Sequence, residues 1–246
     1  MGQYLNPVEE KQSFNLFSVE HVTTLGIAGL LIISLCLLTL RIRKSQGSSA
    51  VRIVLAAILL LTEISFQIWT LSFGKWSLQS SLPIELSDLA VILAAVMLIS
   101  GSRRLFYFLY FAGIGSSLQA LLTPDLGAYT FPHFRYIEFF TAHAGMIAAC
   151  LLLILIKGYR PVYRWIWITF FLVNVYGIII FFFNRMTGAN YLYLMHKPSA
   201  SLLDFLGPWP WYLLSMEGVM LLVFHILYIP FLILKLKKIR NKKVSR

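Results

Sequence analysis

Apolar residues in this chain do not alternate with polar ones, as in a half-buried strand; they run on for long stretches that charges and turn residues interrupt. Seven such runs cover about 22–40, 53–73, 82–100, 105–122, 134–156, 165–183 and 211–234. Each approaches the roughly 20 residues a helix needs to cross a hydrocarbon core of about 30 Å. The pattern predicts an all-α, polytopic bundle of seven transmembrane helices. Residues 1–246 then form a single membrane domain, because the connections leave no room for a separate soluble one. A transmembrane barrel would instead show short alternating segments.

Composition agrees, with 59% hydrophobic and 13% charged residues and a mean hydropathy of +0.77, outside the usual range of soluble domains. The segment 1–20 has neither the basic start nor the small-residue cleavage site of a secretory signal, so the first span is expected to remain in the mature protein. Phe14 and Phe17 suit the interface. Cys36 and Cys150 fall inside spans, where they read as small hydrophobes and not as a disulfide.

Charge sets the orientation. Arg41, Arg43, Lys44 and Arg52, then Arg103 and Arg104, then Lys157, Arg160 and Arg164, and finally seven cations in the tail 235–246, all fall on one side. That side holds sixteen of the 21 basic residues and none of the 10 acidic ones, so the positive-inside rule makes it the cytoplasm and puts the N-terminus outside. The net charge of +11 therefore reads as topology in a multi-pass protein of the cell membrane, and nucleic acid is not an expected partner. The tail should attract anionic lipid headgroups, each nearby cation contributing about 1 kcal/mol.

Polar groups inside spans are functional candidates by default, with structural pairing as the alternative. Glu85, Ser87 and Asp88 begin the third span; Arg135, Glu138, Thr141 and His143 the fifth; Glu217 lies on the seventh. Gln67, Ser116, Ser117, Gln119, Asn184 and Arg185 come late in spans that run outward, while Glu63 and Asn174 sit nearer the midplane. The cytoplasmic halves are almost wholly apolar, His225 excepted. The polar groups thus point to one cavity in the outer half.

At about 1.5 Å of rise per residue, Ser87 lies on the order of 8 Å and His143 on the order of 14 Å below the starts of their spans. A hydroxyl and an imidazole at similar depth are the minimum apparatus for acyl transfer. The plainer reading stays open: a serine that lets helices pack closely and a histidine on a packed face. Arg135 and Glu138, three apart, read as an ion pair. Glu85 and Asp88, also three apart, would repel unless a proton or cation intervened. His133 and His196 lie in outer loops and His21 at the edge of the first span. No metal-ligand spacing, phosphate loop or hydrolase nucleophile motif occurs, so no metal and no cofactor is expected.

Between the last two spans, the outer loop 184–210 is too rich in polar residues, Pro and Gly for a simple turn and has the makings of a structured lid. Asn190, Tyr191, Lys197, Asp204 and Trp209 are its candidate functional residues, and its aromatics also suit an interfacial belt. Its NYLYLMHKPSASLLDFLGPWPWY resembles the signature of the bacterial YwaF-type membrane proteins, whose animal relatives include transmembrane protein 164, a glycerophospholipid acyltransferase. LPIELSDLA and FPHFRYIEFFTAHAG extend the likeness over most of the chain. The resemblance implies an acyl carrier in the third-span motif, where the family commonly has cysteine, and a base in the fifth. This chain keeps His143 and carries Ser87 at the cysteine position, so an oxyester on Ser87, or no covalent chemistry, would replace a thioester.

Three functions follow as expectations. The first is a phospholipid acyltransferase or lipid hydrolase using Ser87 and His143, with Asp88 or Glu138 orienting the imidazole and membrane lipids as partners. The second is an ion-coupled transporter using Glu63, Glu85, Asp88, Glu138 and Glu217. The third is a non-catalytic scaffold or sensor whose acids lock helices together.

Overall fold

A computed structural model describes residues 4–7, 14–43, 47–197 and 202–244. Lys44, Arg246, residues 198–201 of the outer loop and most of the segment 1–13 lie outside the described residues. Among the described residues the chain forms seven α-helices: α1 (Val19–Ile42), α2 (Gly47–Ser72), α3 (Leu86–Ser100), α4 (Arg103–Leu122), α5 (Phe134–Lys157), α6 (Arg164–Thr187) and α7 (Trp211–Val244). Six are long and apolar enough to cross a membrane, and α3 is a shorter apolar helix. The protein is thus a multi-pass membrane protein.

Local chemistry sets the helix ends. The hydroxyls of Ser18 and Ser102 accept the N–H groups of His21 and Leu105, and the His133 ring accepts that of Arg135. Gly101, Gly158 and Gly188 end α3, α5 and α6 with φ of 65°, 66° and 73°, a left-handed conformation that costs glycine no Cβ clash.

The helix α5 is the axis of the bundle. It packs against α1, α2, α3 and α4, and small residues let its neighbours close in. A Cβ on Gly145 would stand 2.7 Å from a Leu59 methyl of α2, and one on Gly113 of α4 would stand 2.7 Å from the Met146 sulfur. Large apolar side chains on α1, α6 and α7, such as Leu30, Phe171, Ile178 and Leu222, are exposed, as a lipid-facing surface requires.

The basic loops meet at one end of the bundle. There Arg52 donates to the carbonyls of Leu98 and Ile99, Tyr159 donates to Gly101 at 2.7 Å, and Arg103 lies over the Tyr159 ring. At the far end, Tyr193 of the outer loop donates to Asp125 at 2.7 Å, and the His21 ring is 2.8 Å from the Leu121 carbonyl.

Two boundaries differ from the sequence reading. The third apolar run starts at residue 82, but helix α3 begins at Leu86; Leu82, Pro83 and Ile84 are non-helical. Fifteen residues rise about 22 Å, so the start of α3 lies recessed below the ends of its neighbours. The last helix continues to Val244 through most of the basic tail, since Lys, Arg, Leu and Ile sustain a helix that the end of the apolar run does not terminate.

Candidate functional site

The segment before α3 is held from three directions. Tyr176 of α6 donates to the Ile84 carbonyl at 2.7 Å, Gln67 of α2 donates to the Ser81 carbonyl at 2.8 Å, and the Tyr191 hydroxyl accepts the Leu82 N–H at 3.0 Å while donating to the Leu78 carbonyl at 3.1 Å. The Glu85 carboxylate accepts the Leu192 N–H at 3.0 Å. Glu85 occupies the N-cap position of α3, yet its side chain gives that helix no capping bond. The first turn of α3 therefore presents uncapped N–H groups and the positive end of the helix dipole. Ser87 and Asp88 lie in that turn, both half-buried.

The outer loop is a folded lid. Asn184 and Tyr191 exchange two hydrogen bonds, at 2.8 and 3.0 Å. The Asn190 amide accepts the N–H groups of Met195 and His196 and donates to the His196 carbonyl. Lys197 donates to the Gly207 carbonyl at 3.0 Å and lies 3.5 Å from Asp204, and the Trp209 indole donates to Leu194 at 3.2 Å. Leu192 and Tyr193 have φ of 58° and 50°, conformations costing of order 1 kcal/mol each for residues with a Cβ. These bonds hold that turn in place. Burial and then the Asp125 carboxylate push the Tyr193 phenol well above its ordinary pKa, which keeps it a donor. A shallow depression of about 250 Å³ beneath the lid is lined by Asn184, Arg185, Gly188, Ala189, Met195 and His196.

Below the lid, Arg135 gathers the carboxylates. It forms an ion pair with buried Glu138, stacks on the rings of Phe66 and Phe139, and lies within electrostatic reach of Asp88 and Glu63. Asp88 in turn feels Glu85, Glu63 and Glu138. The structure thus brings together Glu63, Glu85, Asp88 and Glu138 from α2, α3 and α5. Glu217 stands apart: it accepts a 2.8 Å bond from Asn174 across α6 and α7, so the polar residues form separate clusters and not the single cavity their depths suggested. Among the described residues, no three His, Cys, Asp or Glu side chains are placed to hold a metal ion.

His143 lies deeper on α5, 2% exposed, its ring edge-on to Phe139 at 4.3 Å. Counted along the helices, it lies at a height similar to that of Ser87. Helices α3 and α5 are tied at their basic ends by the Tyr159 to Gly101 bond; Ser87 precedes Gly101 by fourteen residues and His143 precedes Gly158 by fifteen, or about 21 and 22 Å of helix. The imidazole does not take a carboxylate as its orienting partner. Glu138 is held by Arg135, and Nδ1 of His143 is buried without a hydrogen bond.

The family comparison now bears on this geometry. The model of the TMEM164 family matches residues 16–228, from just before α1 to the middle of α7. The chain belongs to the TMEM164 family. Searches of curated proteins and of solved structures return no match. The matched range contains the clamped start of α3, the Arg135 cluster, His143 and the lid, so these are features of the part of the chain that the TMEM164 family model spans.

Tyr176 has no place in the sequence reading. A tyrosine in the middle of an apolar span, away from either aromatic belt, is the signal that would have singled it out, because a buried phenol needs a hydrogen-bond partner.

Proposed function

We propose that this TMEM164-family protein is a phospholipid acyltransferase or lipid hydrolase of the cell membrane, with its reaction centre at the recessed start of α3. The observation that carries the reading is the uncapped first turn of α3, in which Ser87 lies; helix rise puts buried His143 at a similar height. Uncapped N–H groups at a helix start are suited to a developing oxyanion in a site of low dielectric.

In this reading the Ser87 hydroxyl attacks the ester carbonyl of a lipid, and His143 takes its proton. The carbonyl oxygen becomes an oxyanion facing the first-turn N–H groups of α3. Collapse expels the lysolipid alkoxide, which recovers the proton from His143, and leaves an ester on Ser87. An acceptor hydroxyl or water then repeats the sequence in reverse and frees the serine. The recess above α3 admits an acyl ester from the lipid phase, while the lid keeps bulk water from the acyl-serine. The basic end faces the cytoplasm and the lid faces outward, in line with the distribution of Lys and Arg.

The test is acyl transfer or release from labelled phosphatidylcholine and phosphatidylethanolamine by protein reconstituted in vesicles. Ser87→Ala and His143→Ala are expected to abolish it. Turnover by both variants at the parental rate would sink the reading and favour a scaffold held by the Arg135–Glu138 and Asn174–Glu217 pairs.

A further inference from the structure

Buried polar side chains without partners are few in native proteins, and each asks for a reason. Among the described residues, two of them are Ser117 Oγ on α4 and His143 Nδ1 on α5. Their residues are 0% and 2% exposed, so neither atom is compensated by bulk water.

The packing of α4 on α5 brings their two turns to one level. These helices run antiparallel, joined by the loop 123–133. At one level Gly113 lies against Met146, with room for no Cβ between them. At another, Leu121 shares one apolar cluster with Tyr136, Phe139 and Phe140 of α5. Ser117 is four residues from both Gly113 and Leu121, and His143 is three from Met146 and four from Phe139. Each such step is one helical turn on the same face, so Ser117 and His143 fall on the rung between the Gly113–Met146 contact and that cluster. Serine and imidazole thus share one buried interface, from which the carboxylates are absent because Arg135 gathers them nearer the helix start.

We propose that Ser117 is the positioning residue of His143: the two atoms carry no hydrogen bond in this structure, and rotation of the two side chains closes one in which the hydroxyl oxygen accepts the Nδ1–H of the imidazole across the α4–α5 interface. That bond fixes the tautomer with the lone pair on Nε2, the nitrogen left to take the proton of the reacting hydroxyl. It also stabilises the imidazolium, which keeps donating from Nδ1 while Nε2 holds the transferred proton. The Ser117 hydroxyl hydrogen is free to be given to a carbonyl one turn earlier on α4. A hydroxyl fits this interface where a carboxylate would not, since a further buried anion so close to the Arg135 cluster would have no cation of its own. The catalytic consequence rests on the acyl-transfer reading, whereas the pairing itself does not.

The experiment therefore has two arms, both on full-length reconstituted protein. In the first, ¹⁵N imidazole spectra resolve the five histidines, with the His143 signals identified by their loss in His143→Gln. The parent and Ser117→Thr are expected to show His143 protonated at Nδ1, and Ser117→Ala to lose that state. A His143 spectrum unchanged in Ser117→Ala overturns the proposal, whatever the enzyme does.

The second arm reads acyl transfer. Ser117→Ala is expected to lower kcat by about tenfold to a hundredfold with KM within about twofold, the pattern of a lost transition-state interaction, and Ser117→Thr to restore most of the rate. If Ser117→Ala turns over like the parent while Ser87→Ala is inactive, the positioning role is overturned and the acyl-transfer reading stands. If Ser87→Ala and His143→Ala both turn over like the parent, it is the acyl-transfer reading that fails. A covalent acyl adduct on Ser117 in place of Ser87 would also overturn the positioning role.

Discussion

The Glu85 carboxylate sits at the start of α3 but binds the backbone N–H of Leu192, 107 residues away, at 3.0 Å. One side chain thereby ties the lid to the recessed helix and leaves the helix start open. Glu85→Ala is expected to release the lid without disrupting the spans, at a cost of about 1–3 kcal/mol for a hydrogen bond to a charged group. Faster proteolysis within the loop 188–210 in detergent, at near-parental helical content, is the outcome to look for.

Tyr191 makes the second tie between lid and helix start. Removing only its hydroxyl in Tyr191→Phe forfeits the bonds to Leu82 and Leu78, about 1 kcal/mol each, and leaves the half-buried Leu82 N–H without that acceptor. The thermal midpoint should fall by several degrees. A midpoint within a degree of the parent would show that these bonds do not hold the segment.

Arg135 is the cation among the gathered carboxylates, so its loss should cost more than the loss of any one of them. Arg135→Gln is expected to destabilise by about 3–5 kcal/mol, because it strands buried Glu138. Adding Glu138→Gln to that variant should recover part of the loss. A double-mutant cycle on thermal or denaturant unfolding measures the coupling, and additivity of the two changes would contradict the pairing.

His133 gives a prediction in pH. Its Nδ1 caps α5 by accepting the Arg135 N–H at 3.1 Å, and its Nε2 lies 3.0 Å from the Asn6 carbonyl, to which it donates. Burial lowers its pKa below the ordinary 6.5, the Asn6 contact opposing in part. The ring is therefore neutral in the fold and protonates more readily in the unfolded chain. Stability is full above the unfolded pKa and falls as pH drops below it toward the folded value, by about 1 kcal/mol if only the cap is lost. His133→Asn keeps a capping acceptor and should flatten that slope in thermal unfolding between about pH 7 and pH 5.

Some of this architecture was legible in the chain itself. Seven apolar runs located the seven helices, because lipid demands length and continuity of apolar character, and both are local properties. The spacing of Arg135 and Glu138 announced their ion pair for the same reason. The start of α3 was not legible. Leu82 and Ile84 are as apolar as any helical residues, and what keeps them non-helical includes Gln67, Tyr176 and Tyr191, from α2, α6 and the lid.

The sequence by itself determined that the protein crosses the membrane several times and which residues are polar within it. Only the tertiary structure decided how those residues divide: carboxylates around Arg135, Glu217 with Asn174, and His143 buried against Phe139 without a carboxylate partner. Depth follows from counting residues along a helix, but direction around the helix matters only when its neighbours are known, and the neighbours of α5 come from four different helices.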